Sequence, residues 1–237
     1  MKLNANQLKL IAVIAMTIDH ATWLLFPGLN TDPRAMLLHV IGRFTAPVMM
    51  FFVSEGIQHS SNKFRYGCRL LAFAIVSHFA YAYAFGNDLS WLDGTSIMLP
   101  LASAVFLSMV LEQSNSKLVS NLAILAACLL NFPADFSSIA VMIPVLVSLK
   151  SKMQDKLLTM RIWLIVYAMV YMVLVDWRYG LVQFGLLIPT FVLNTYSGER
   201  GTRNWFSKWG FYVYYPAHMI VIGALRIAIH GDIPLVF

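Results

Sequence analysis

The chain has 237 residues, of which 59% are hydrophobic and 12% charged, and its formal net charge is +6. Soluble globular domains run about 45–50% apolar and about 25% charged, so this balance, with a mean hydropathy of +0.69, points to lipid as the solvent. It excludes a disordered chain, an ordinary cytosolic enzyme and a nucleic-acid-binding module, since the basic residues form no stripe interleaved with aromatics.

A membrane-crossing helix needs roughly 20 mostly apolar residues. In chain order the candidate segments are 8–26, 35–57, 66–86, 95–112, 117–131, 138–149, 160–175, 179–195 and 210–230. The expectation is therefore an all-α polytopic bundle of about nine spans (8–10), forming a single integral membrane domain over residues 1–237. The first segment follows Lys2 and carries Lys9, as a signal peptide would. Asp19-His20 interrupts its apolar run and no small-residue cleavage site follows, so it reads as retained. The fifth and sixth segments are short, and Pro133 and Pro144 lie beside or within them. They read either as crossings or as a re-entrant pair. Cys68 and Cys128 give neither a disulfide framework nor a zinc spacing and read as small buried hydrophobes.

With the N-terminus placed in the cytoplasm, the outer loops hold only Arg34 and Arg178 of the 17 Lys and Arg residues. Arg43 and Arg226 fall inside spans, and the others gather on the inner side. Asp32, Asp88, Asp93, Asp135, Asp176 and Asp232 fall on outer loops. This is the positive-inside asymmetry, and it accounts for the net charge without an anionic partner. Tryptophans near span ends read as interfacial anchors.

An ionisable side chain at bilayer depth costs at least ~2.5–3.5 kcal/mol on insertion scales and needs a reason to be there. The first span has Asp19 and His20; the second has His39, Arg43 and Glu55. The third has His78 and the last has His218 and Arg226. At about 1.5 Å of rise per residue, Arg43 lies about 4.5 Å from the middle of its span. Asp19, His78 and His218 fall close to their own span centres, in the same layer. His39 and Arg43 share a helix face, as do Tyr214 and His218. Asp19 and His20 diverge by about 100°, so one would orient a neighbour while the other faces a cavity. Pro47, four residues after Arg43, should loosen the helix there. The cluster admits four readings: polar glue between helices with Asp19 paired to Arg43, a proton relay in a proton-coupled small-molecule transporter, a non-catalytic assembly role, or an enzyme with a buried histidine base.

The stretch LKLIAVIAMTIDHATWLLF (8–26) resembles the opening of the TraX family of integral membrane proteins. IGRFTAPVMMFFVSEGIQHS, with Gly42-Arg43, Pro47 and Glu55-Gly56, resembles its second helix. YGCRLLAFAIVSHFAYAYAF, with Arg69 after a short basic loop, resembles the third, and FYVYYPAHMIVI carries the Pro216-x-His218 pattern. The resemblance implies an acetyl-CoA-dependent N-acetyltransferase of the bacterial inner membrane. Its acceptor would be the amino terminus of a processed pilin or another cell-surface molecule. Under that reading Asp19, His20, Arg43 and His218 form the catalytic set: His20 or His218 as base, Asp19 orienting it, Arg43 stabilising the oxyanion or holding Asp19 ionised. His39, Glu55, His78, Tyr214 and Arg226 are candidate substrate-binding residues. Lys63, Arg65, Arg69, Arg200 and Arg203 are candidates for the CoA phosphates. No Ser or Cys stands convincingly beside a His, which favours direct transfer over a Ser or Cys covalent intermediate and leaves a His-borne acetyl group as the other route.

Overall fold

The computed structural model describes residues 2–202 and 204–235. Eleven α-helices account for most of them: α1 (Ala5–Leu25), α2 (Pro33–Gly42), α3 (Thr45–His59), α4 (Lys63–Phe85), α5 (Met98–Gln113), α6 (Lys117–Leu130), α7 (Ile139–Ser148), α8 (Met153–Leu174), α9 (Trp177–Gln183), α10 (Ile188–Val192) and α11 (Trp205–His230). Among the described residues there is no strand, only the isolated bridges Leu3–Tyr196 and Thr95–Ala134.

Polar side chains in the connections start the helices. Asn4 opens α1 in a capping box with Gln7, and Asn204 opens α11 in one with Ser207. Asp32 caps α2 ahead of Pro33, and Asn62, Ser116 and Asp176 cap α4, α6 and α9. Each satisfies backbone donors that lipid cannot. Gly86 closes α4 in the left-handed region (φ 75°) that a side chain would disfavour.

Five helical stretches are long and apolar enough to cross a bilayer: Ala5–Leu25, Pro33–His59, Lys63–Phe85, Met153–Leu174 and Ser207–His230. Leu, Ile, Val and Phe side chains such as Leu10, Ile14, Ile75, Phe79, Leu122, Leu125, Ile220 and Val221 lie on the outside of the bundle. An apolar exterior of this extent suits acyl chains and not water. The protein is thus an all-helical, multi-pass membrane protein.

Three expectations are modified. The segment over 179–195 is not one helix: α9 passes into a 3-10 turn at Phe184–Leu187, then α10, then a second 3-10 turn at Leu193–Thr195. Pro189 withholds a backbone donor, and Gly180 sits so close to Met172 of α8 that a Cβ would overlap its backbone. The expected spans at 95–112, 117–131 and 138–149 are helices of 16, 14 and 10 residues. Cys68 is exposed and Cys128 half-buried, so neither is a core residue.

The helix over 33–59 breaks where Pro47 suggested. The proline ring cannot share space with the carbonyl four residues earlier, and α2 gives way to α3 at Arg43-Phe44. In the bundle α4 packs against α5 and α11, α3 against α7, and α1 against α2, α3 and α11. The gap left between α1, α3, α4 and α11 becomes the cavity described next.

Candidate active site

One helical face of α1 presents Ala5, Lys9, Ala12, Val13, Met16, Asp19 and His20 to a cavity of about 820 Å³. Residues 5 to 20 cover about 22 Å of helix at 1.5 Å per residue, so the cavity is long. Its mouth, beside the start of α1, carries Lys9, Arg69, Arg200 and Lys208, with Tyr66 and Trp209. Its closed end carries His20, Asp19, Arg43, Asp135 and Tyr215. Cations predominate at the mouth, and a mixed polar cluster lies at depth. Among the described residues the one carboxylate lining the cavity away from the deep end, Glu55, is paired with Lys156.

The mouth cations lie against aromatic faces. The Lys9 ammonium lies 5.0 Å from the Phe52 ring centre and 5.6 Å from that of Phe211. Arg69 lies 5.4–5.8 Å from the rings of Tyr66, Trp209 and Tyr212, and its buried Nε has no hydrogen-bond partner among the described residues. Such contacts hold cations without neutralising them, which leaves the charge available to an anion.

The closed end contains two separate hydrogen-bonded units. In the first, Asp19 Oδ1 accepts from His39 Nδ1 at 2.9 Å and from Arg43 Nη2 at 3.3 Å. This ties α1 to the α2–α3 junction. His39 and Arg43 are four residues apart and reach one carboxylate, as their shared face required. Gly42 makes the approach feasible, because a Cβ there would overlap the Asp19 carboxylate. His39 is wholly buried, with its ring centre 4.5 Å from that of Trp23 and 5.8 Å from that of Tyr179. It holds Asp19 from behind and does not line the cavity.

The second unit fixes a proton direction. His218 Nδ1 lies 2.9 Å from the Tyr214 carbonyl oxygen, and His20 Nδ1 lies 2.7 Å from His218 Nε2. A carbonyl only accepts, so with both rings neutral the proton of His218 is on Nδ1 and its Nε2 is a lone pair. His20 Nδ1–H then donates to that lone pair. The remaining lone pair, on His20 Nε2, has no tautomeric choice left. His20 lines the cavity; His218 stands behind it, sandwiched with Tyr214 at a ring separation of 5.0 Å. Tyr214 is held by a 2.6 Å hydrogen bond between its hydroxyl and Thr17. The arrangement can therefore accept a proton at one defined atom. Asp19, expected to orient the histidine base, instead bonds His39 and Arg43, because adjacent residues on a helix point apart. His218 supplies the orientation.

The remaining sequence candidates fall in several places. Glu55 lines the cavity and pairs with Lys156, which also donates to Gln58. Arg69 and Arg200 are at the mouth. Lys63 pairs with Glu112 at 2.5 Å and Arg65 is exposed on α4, neither lining the cavity. His78 bonds Thr95 and the Leu89 carbonyl, bracing the 86–97 connection. Arg226 bonds the Ile233 and Tyr83 carbonyls and Asp232, locking the C-terminal segment against α4. His78 has the expected depth, but both face other partners. Arg203 lies outside the described residues. Lys9, Lys208 and Asp135 had been read only as loop or topology charges.

The helices that carry the motifs Asp19-His20, Gly42-Arg43, Glu55-Gly56 and Pro216-x-His218 thus line one cavity together with α4, and residues 4–226 match the family described as TraX protein. The chain belongs to the TraX family. It is also 28% identical over 235 residues to a protein from Dichelobacter nodosus, "Probable fimbrial assembly protein FimC, serogroup H1", covering 92% of this chain and 94% of that one. No solved structure matches. Family membership extends over nearly the whole chain, including the segments between the first three helices and the last that motifs alone did not mark.

Proposed function

We propose that this TraX protein transfers an acyl group, acetyl in the simplest case, from a coenzyme A thioester to an amine. The observation that carries this reading is the single cavity joining a cationic, aromatic mouth to the ordered lone pair of His20. A donor with phosphates at one end and a reactive thioester at the other matches that sorting of charge. The Lys9, Arg69, Arg200 and Lys208 side chains would hold the phosphates.

The reaction balances as follows. The acceptor enters as an ammonium and gives one proton to His20 Nε2. The amine lone pair attacks the thioester carbonyl carbon, the C–N bond forms and the C–S bond breaks. The nitrogen then gives up a second proton and the leaving sulfur takes one up, so one ammonium and one thioester give an amide, a free thiol and one net proton, the one left on His20. Arg43 lies beside Asp19 and is placed to stabilise negative charge on the carbonyl oxygen.

A pilin amino terminus, or another cell-surface amine, is the acceptor we favour, because the D. nodosus relative carries a fimbrial assembly name. We also infer an inner-membrane location with the N-terminus and the mouth in the cytoplasm, since the mouth cations all belong to segments on the basic side of the chain. Helices α6 and α7, of 14 and 10 residues, measure about 21 and 15 Å against a hydrocarbon core of about 30 Å. They suit a re-entrant hairpin, which leaves the orientation of every other helix as the charge asymmetry requires.

The direct test is binding of acetyl-CoA to the purified protein by calorimetry, with acetyl transfer to a peptide bearing a free amino terminus followed by mass spectrometry. Binding is expected to weaken about 10–100-fold in Arg69→Ala, through loss of a charged hydrogen-bond donor, while Lys63→Ala, which removes a cation outside the cavity, leaves it unchanged. Absence of both binding and transfer in the wild type would overturn the reading in favour of a non-catalytic assembly role.

A further inference from the structure

The loop joining α6 to α7 does not lie outside the bundle as its charge suggested. It folds inward and is tied down at several points. Asp135 N–H donates to the Thr95 carbonyl at 2.9 Å, Ser138 Oγ donates to the Cys128 carbonyl at 2.8 Å, and the Asn131 amide donates to the Ala127 carbonyl at 2.8 Å. Phe136 and Ser137 follow with φ of 59° and 49°, the only positive values outside glycine among the described residues. A left-handed residue with a side chain costs roughly 1–2 kcal/mol, so two in succession persist only where the surroundings impose them. The outcome of this turn is that Asp135 lines the closed end of the cavity and the Phe136 ring lies 5.9 Å from the Arg43 guanidinium.

The charges at that end do not cancel. Asp19 and Asp135 are both there, and Arg43 is hydrogen-bonded to Asp19. Among the described residues no Lys, Arg or His nitrogen lies within 4.0 Å of the Asp135 carboxylate, whereas Asp19 has two such partners. Arg43 acts on Asp135 as well as on Asp19 but is hydrogen-bonded to Asp19, so one cation faces two carboxylates in a low-dielectric cavity, and a cationic ligand offsets that deficit. Its surroundings are rings: Phe136 and Tyr215 line the cavity beside it, and Tyr81 and Tyr167 lie within its electrostatic reach. A divalent cation takes six or more oxygens; one carboxylate among aromatic faces is instead the combination that holds an organic ammonium.

We propose that Asp135 is the counter-ion that receives the ammonium group of the acceptor, at the closed end of the cavity and among these rings. The identity of the cation as an acceptor amine rests on the acyl-transfer reading; the existence of an ammonium site does not. Asp135 binds the ammonium, and the proton that must leave before attack goes to His20, which lines the same cavity.

The experiment uses the purified full chain and two probes, a short peptide amide with a free amino terminus and the same peptide N-acetylated. Peptide binding and acetyl-CoA binding are measured separately by calorimetry for the wild type, Asp135→Asn and Asp135→Glu. The wild type is expected to bind the free-amine peptide and not the acetylated one. Asp135→Asn should weaken the free-amine peptide about 10–100-fold, the loss expected for a charged hydrogen bond, and leave acetyl-CoA unchanged, with Asp135→Glu recovering part of the affinity. Equal binding of the two peptides by the wild type overturns the proposal even if neither variant folds. So does unchanged peptide affinity in Asp135→Asn, or a parallel loss of acetyl-CoA, which marks a structural role. If the wild type ignores acetyl-CoA yet holds the free amine through Asp135, acyl transfer falls and the ammonium site stands. If acetyl-CoA binds and the amine does not, the ammonium site falls and the acyl-transfer reading stands or falls on the transfer assay.

Discussion

His20→Ala is expected to lower acyl transfer about 10²–10⁴-fold, the usual contribution of a positioned base, while acetyl-CoA binding persists. The expectation follows from one lone pair. The Tyr214 carbonyl fixes the His218 proton, His218 fixes the His20 proton, and Nε2 of His20 is what remains for the substrate. In the proposed reaction His218 acts through His20 and is a positioning residue. His218→Ala should therefore reduce kcat more than it raises KM and should displace the acid limb of the pH profile, because His20 loses the acceptor that selects its tautomer. His218→Gln, whose amide oxygen can accept from His20 Nδ1–H, should recover part of the rate. Rates measured across pH on these variants, with melting temperatures in detergent as a fold control, decide the matter. Full activity in His20→Ala would remove the histidine pair from the mechanism.

Arg43→Ala is expected to be the most destabilising single change at the site. It removes the guanidinium from Asp19 in a nearly dry setting, and breaking a buried pair from one side costs about 3–5 kcal/mol. Asp19 and Arg43 join α1 to the point where α2 breaks into α3, so the loss acts on the junction of two crossings. The double variant Asp19→Asn/Arg43→Ala should regain much of the stability, since no uncompensated charge is left. Arg43→Lys should not, because Asp19 takes a directed Nη2 donor while the guanidinium carbon lies over the Phe136 ring, a geometry an ammonium does not reproduce. Thermal unfolding of the purified variants in detergent reads both comparisons. A wild-type melting temperature for Arg43→Ala would show that the pair does not hold these helices.

The sequence made the deep cluster visible because an ionisable group in an apolar helix is conspicuous. Asp19, His20, Arg43 and His218 all lie at the closed end, and Pro47 marked the break beside Arg43. Depth along a helix did not reveal direction around it. His78 has suitable depth yet turns toward Thr95, and Arg226, nearer the end of its helix, turns toward the C-terminal segment. Lys9 was recoverable: it recurs with Ala5, Val13, Met16 and His20 on one 3.6-residue face, but positive-inside topology already explained it. Asp135 was hidden for a different reason. A charged residue between two apolar helices reads as a loop on the surface, and only the inward fold of 131–138, held by backbone contacts distant in sequence, shows otherwise. The broken course of 177–195 was likewise obscured, because hydropathy is blind to how closely Gly180 meets Met172.

The cavity has its cationic opening at one end and its polar cluster at the other. A thioester seated with its phosphates at that opening would fill the passage behind it. An acceptor must then be lodged first or slip between helices from the side, and two substrates must be present together before anything is released. Double-reciprocal plots at several fixed acceptor concentrations should accordingly intersect, where a shuttled acyl-enzyme would give parallel lines.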